Sequence, residues 1–166
     1  MKQVLCFFVC VVFFMTTYGQ AEKVQAMFVY NFTKYVEWPA SAKSGNFVIA
    51  VYGTSAIYEE LIKVADLKTA GSQAIEIKKI NSVDEIASQH MVFVAQNKSK
   101  DISEVVSKIG SKPTLIITES AGLIDKGSAI NFILVDNKQR FEMKKNNISD
   151  KGLKISSELE KFAIIK

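Results

Sequence analysis

The sequence predicts an α/β fold: a doubly wound, mostly parallel sheet with helices on both faces and a C-terminal antiparallel hairpin at one edge. Three observations predict it. Helix-period and strand-period segments alternate from residue 21 onward, without repeats or low-complexity linkers. The segments "FVIAVY", "MVFVA" and "TLIIT" are unbroken apolar runs, the pattern of strands buried on both faces. The last two strand-like segments are separated only by "DNKQ", a hairpin connection. Right-handed crossovers between parallel strands then give the doubly wound arrangement.

The elements follow in order. A helix is expected from Ala21 to Val36, stopped by Pro39. A strand over Phe47–Tyr52 leads into a helix from Ser55, and a second strand over Ala74–Ile80 into a short helix from Ser82. The third strand, Met91–Ala95, precedes a helix over Asp101–Ile109, and the fourth covers Thr114–Thr118. The hairpin strands fall at Asn131–Val135 and Arg140–Met143. A final helix from about Asp150 would carry Gly152, Ile155, Ser156, Leu159 and Ala163 on one face.

The N-terminus reads as a secretory leader. Lys2 precedes an apolar run from Val4 to Met15, too short for a bilayer span of about 20 residues. Small and polar residues follow, so cleavage is expected after Gly19 or Ala21, dividing the chain into a leader over 1–20 and one domain over 21–166. Both cysteines, Cys6 and Cys10, lie in the leader. The exported domain would hold together by burial alone, without disulfides and without inserting into the membrane.

Charge excludes one class of partner. The 21 Lys+Arg and 17 Asp+Glu are dispersed rather than gathered into a stripe, so nucleic acid is not expected. Catalytic motifs are missing: no His-Glu-x-x-His, Gly-x-Ser-x-Gly, Walker loop or Gly-x-Gly-x-x-Gly occurs. The single histidine, His90, enters the third strand and reads as structural; no metal or cofactor is expected.

Three places carry binding potential. Gly53-Thr54-Ser55 joins a strand to a helix N-terminus, where free N–H groups attract anions, although Ser55 could simply cap the helix. Phe28, Tyr30, Phe32, Tyr35 and Trp38 crowd the first helix; 28, 32 and 35 share a face while Tyr30 points away. Tyr30, Tyr35 and Trp38 are therefore candidates for contact with a partner protein. Arg140, the only arginine, lies two residues from Glu142 on one strand face, where its planar fork suits a carboxylate or phosphate.

"MFVYNFTKYVEWP" and "INFILVDNKQRFEMKKNNISDKGLKISSELEKFA", with "FVIAVYG", "HMVFVA" and "TLIITESAGLIDKGSAINF" between them, resemble the YfiR-like family of exported bacterial proteins. The resemblance spans the whole domain. It implies a periplasmic α/β protein, often dimeric and non-catalytic. The family's characterised member represses a membrane-bound diguanylate cyclase by binding its periplasmic sensor domain. It also places Arg140 beside a small-molecule or partner surface. The chain departs from its relatives at Gln89, where many carry a cysteine, and at Gly127-Ser128, where many read Gly-Gly. The expected function is a periplasmic regulator that restrains a membrane signalling enzyme, a diguanylate cyclase or sensor kinase. The alternative is a solute-binding module for a small anion.

Overall fold

The computed structural model describes residues 18–166. The expected leader lies, up to residue 17, outside the described residues. Helix α1 (Tyr18–Tyr35) runs directly into β1 (Val36–Glu37), and Pro39 heads the short 3-10 turn Ala40–Ala42. Then come β2 (Phe47–Tyr52), α2 (Ile57–Ala65), β3 (Thr69–Ala70), β4 (Gln73–Ile80), β5 (Met91–Val94), α3 (Ile102–Ile109) and β6 (Leu115–Thr118). The chain closes with β7 (Ile130–Val135), β8 (Lys138–Met143), α4 (Lys145–Ser149), β9 (Lys154–Ile155), α5 (Ser157–Phe162) and β10 (Ile164–Ile165).

Among the described residues, eight strands form one mostly parallel sheet in the order β10-β8-β7-β6-β5-β2-β4-β3. Strands β4, β2, β5, β6 and β7 are mutually parallel, with β3 antiparallel to β4 and β8 antiparallel to β7. A separate two-stranded sheet pairs β1 with β9 antiparallel.

The side-chain period of two builds the two cores. Ile49, Val51, Met91, Phe93, Leu115 and Ile117 pack with α1 and α2, through Val29, Phe32, Ile57 and Leu61. The intervening Ala50, Tyr52, Val92, Val94 and Ile116 pack with α3, through Ile102, Val105 and Ile109. Each fully buried side chain of this kind contributes about 1.5–3 kcal/mol relative to exposure. Continuous apolar strands were therefore a sound sign of a sheet covered on both faces.

Four local expectations need correction. The segment after Ser82 is a single 3-10 turn, Val83–Glu85, held by a capping box in which Ser82 N–H donates to Glu85 Oε1 at 2.9 Å. The hairpin turn is the two residues Asp136 and Asn137, both left-handed with φ of 50° and 58°, so Lys138 and Gln139 belong to the strand. That hairpin does not form the sheet edge, because β10 pairs parallel with β8 through Ile164↔Glu142 and Ile165↔Met143. The final helix is broken: Gly152 at φ +68° turns the chain, and Ile155 pairs with Val36. Ser156 then caps α5, its Oγ accepting from Leu159 N–H at 3.3 Å. Strand pairing across the molecule overrides the helical spacing of 152, 155, 156, 159 and 163.

Candidate functional site

The carboxyl ends of β2, β5 and β6 converge at the first candidate site. Gly53 has a φ of +98° and is buried. A Cβ there would meet Asn97 Oδ1 and Lys98 Cγ, each at 2.6 Å, so glycine is required by both conformation and space. The close approach seats the Asn97 side chain over the turn, where Thr54 N–H donates to its Oδ1 at 3.1 Å. Ser55 Oγ accepts from Ile57 N–H at 3.4 Å, a local turn one residue before the helix cap, which is Ala56. The turn expected to receive an anion at Gly53, Thr54 and Ser55 is thus filled by the chain's own carboxamide and hydroxyl.

Its surroundings are acidic. Tyr52 O–H donates to Asp101 Oδ2 at 2.6 Å; burial, then that hydrogen bond, push the phenol up to about 12. Lys98 Nζ lies 4.9 Å from the Tyr52 ring centre and 3.8 Å from Asp101 Oδ2, which balances one of these charges. Glu119 accepts from Gln96 N–H at 3.1 Å, yet burial raises its carboxyl above the usual range, and Glu22 across from it adds to the rise. Glu119 is not among the candidate site residues, although it opens the turn "ESAG" at the end of the fourth strand.

The aromatic helix also needs correction. Tyr30 is 8% exposed rather than facing solvent, with Lys34 Nζ 4.5 Å above its ring. Trp38 is 5% exposed, edge-on to Phe47 at 4.9 Å. Tyr35 is half-buried against the core, and its carbonyl accepts from Ser156 N–H at 2.9 Å. Tyr35 is covered where β1 pairs with β9 and brings the C-terminal segment to the end of α1, whereas Trp38 is covered by Phe47 and His90. Phe28 and Phe32 take the core role expected of them, each 5.3 Å from Phe141. The apolar residues that α1 does present outward are Val24 and Met27, 42% and 44% exposed. With Lys23, Phe28 and Asn31 they line a shallow, largely apolar groove of about 350 Å³.

At the far side of the sheet, Arg140 is exposed and makes no ion pair among the described residues. Glu142 is not its partner. That carboxylate is held by Lys166 Nζ at 3.0 Å and by Asn131 Nδ2 at 3.1 Å. Asn131 Oδ1 in turn accepts from Thr118 Oγ1 at 2.7 Å, and Thr118 also bonds Ser128. Glu142 therefore ends a buried polar chain that ties β6, β7, β8 and the C-terminus together.

His90 is a cross-brace. Its Nδ1 accepts from Val48 N–H at 3.1 Å, which leaves the hydrogen on Nε2 to donate to Ala42 O at 2.7 Å. The ring stacks on Phe47 at 4.3 Å. Both nitrogens are thus occupied by backbone partners. No group of three or more His, Cys, Asp or Glu side chains that could hold a metal ion occurs among the described residues.

The family model described as YfiR/HmsC-like matches residues 22–164. The chain belongs to the YfiR/HmsC-like family. Comparison with curated proteins gave no match. Membership accounts for the economy of the site: the family is regulatory, and the groups found here brace, cap and pack. No helix among the described residues is long and apolar enough to cross a membrane.

Proposed function

We propose that this YfiR/HmsC-like protein is an exported, non-enzymatic regulator that docks on the periplasmic sensor domain of a membrane-bound diguanylate cyclase and restrains its output. In this reading the leader over 1–20 is removed and the domain from residue 21 acts in the periplasm. The parallel strand order supports a doubly wound scaffold, with its crevice at the ends of β2 and β5 closed by Asn97. Family membership supports a membrane signalling protein as the partner. The observation that carries the docking surface is the outward pair Val24 and Met27 on α1, large apolar side chains beside a groove walled by Phe28. The core behind that helix, with Phe28 and Phe32 packed against Phe132 and Phe141, holds the helix backbone in place and limits the ordering cost of binding to the side chains.

The solute-binding alternative loses its support, since the candidate anion cradle is internally filled and Glu119 stands beside it. The test is Met27→Asp and Val24→Asp in the native host, read with a cyclic-di-GMP reporter. Each should relieve repression while the melting temperature stays within about 2 °C, because a charge is added at an exposed position. Full repression by both variants would remove α1 as the docking face.

A further inference from the structure

A second cleft of about 430 Å³ opens between the N-terminal half of α1 and the ends of β6 and β7. Its polar members are Gln25, Glu119 and Gln139, and Leu134 and Phe132 give it apolar walls. Gln139 Nε2 donates to the carbonyls of Ile133 and Arg140, at 3.0 and 3.1 Å, which fixes its Oε1 as an acceptor. Gln25 Nε2 donates to that oxygen at 3.2 Å. Gln25 Oε1 is consequently an acceptor too, and it has no donor although the residue is only 7% exposed. Three residues earlier on the same helix, Glu22 Oε2 is likewise buried without a donor.

The two carboxamides spend their N–H groups within the cleft, and Glu119 already accepts from Gln96 N–H and bonds Ser55, so the polar atoms left without a partner, Gln25 Oε1 and Glu22 Oε2, are both acceptors. A buried acceptor left unmet costs about 1–3 kcal/mol, so two such oxygens beside a carboxylate define a place for a donor. We propose that this cleft binds a primary ammonium group on a compact apolar body, the ammonium held by Glu119 and Gln25 with Glu22 behind them. An ammonium brings three donors and one positive charge, which matches the acceptors without calling for the larger ligand set of a metal ion. Leu134, 68% exposed at the cleft wall, offers the apolar body a surface it would cover. The burial that raises the Glu119 carboxyl is the cost that a neighbouring cation offsets.

Two sources share this chemistry: a free amine, or the chain's own amino end if the leader is cut after Ala21. In the second case the new terminus, Glu22, stands three residues before Gln25, the spacing at which a side chain reaches back to the first residue of a helix. This arm alone rests on the cleavage, which intact mass reads independently.

The experiment is calorimetric titration of the exported chain with isoamylamine and cyclohexylmethylamine, beside the matched alcohols. Chain beginning at Glu22 is compared with the same chain acetylated at its amino end. Amines should bind at least about tenfold tighter than alcohols, the worth of a charge-assisted hydrogen bond. Binding to both forms identifies a free amine as the occupant; binding only after acetylation identifies the chain's own end. Glu119→Gln should weaken the amine by about tenfold or more, and Gln25→Met, which keeps the bulk and removes the acceptor, by several-fold in a protein of unchanged circular dichroism. Equal binding of amine and alcohol, no binding to either form, or full amine affinity in the folded Gln25→Met protein would overturn the proposal.

Discussion

Substituting Gly53 by alanine tests the central geometric argument, that the strand-end turn is closed by the chain itself. The first cost is conformational: with φ at +98°, an L side chain sits in strained backbone, worth roughly 1–3 kcal/mol. The second is steric. The new Cβ would lie 2.6 Å from both Asn97 Oδ1 and Lys98 Cγ and 3.3 Å from Ala95 Cβ, where carbon contacts want about 3.5–4.0 Å. Relief requires Asn97 to withdraw, which breaks its bond from Thr54 N–H and forfeits about 0.5–1.5 kcal/mol. Together these give a loss of about 3 kcal/mol, read as a lower urea midpoint at unchanged slope. In an Asn97→Ala background one clash and one hydrogen bond are already gone, so Gly53→Ala should cost about 1 kcal/mol less there, a coupling expected of neighbours. A loss below about 0.5 kcal/mol in the single variant would refute the reasoning. The turn would then be soft, Asn97 would be a removable plug, and an anion could compete for the Thr54 N–H.

Two further outcomes follow from the same structure. Glu119 has a folded-state pKa above its ordinary 4.5, chiefly through burial, so its contribution to stability is fully present below that value and is lost as pH rises through the raised one. Glu119→Gln does not titrate; its stability relative to the wild type should therefore increase from pH 4 to pH 7, and a difference that is flat or reversed in denaturation curves would contradict the burial. Phe32→Ala should cost about 3–5 kcal/mol, since the ring is fully buried against Phe132 and Phe141, whereas Met27→Ser should stay within about 0.5 kcal/mol.

The parts of the fold that were legible in the sequence are those whose signal is local. "FVIAVY", "MVFVA" and "TLIIT" form β2, β5 and β6 within a residue of the expected bounds, because a strand buried on both faces has to be apolar throughout. The hairpin was legible from its turn residues, and His90 from the rarity of its type. What the sequence concealed was set by pairing at a distance. The two-residue strands β1, β9 and β10 carry no period of their own, and they exist because Val36, Ile155 and Ile164 find partners far along the chain. Their absence from a linear reading is what turned Gly152 and Ile155 into a helix.

The same cause explains why the candidate docking residues were misplaced. Helical spacing separates one face of α1 from another, but it does not say how many faces are covered. Angular position correctly set Phe28 and Phe32 toward the sheet. The surface away from the sheet is itself partly occupied, by Lys34 lying over Tyr30 and by the β1–β9 pair near Tyr35. Aromatic content then follows coverage rather than exposure, and the residues left facing water are the aliphatic Val24 and the thioether Met27. An interface on this helix therefore has no aromatic anchor of its own beyond the edge of Phe28. A pocket that accepts Met27, with the flexible packing a thioether allows, is the complementary feature to seek on the proposed partner.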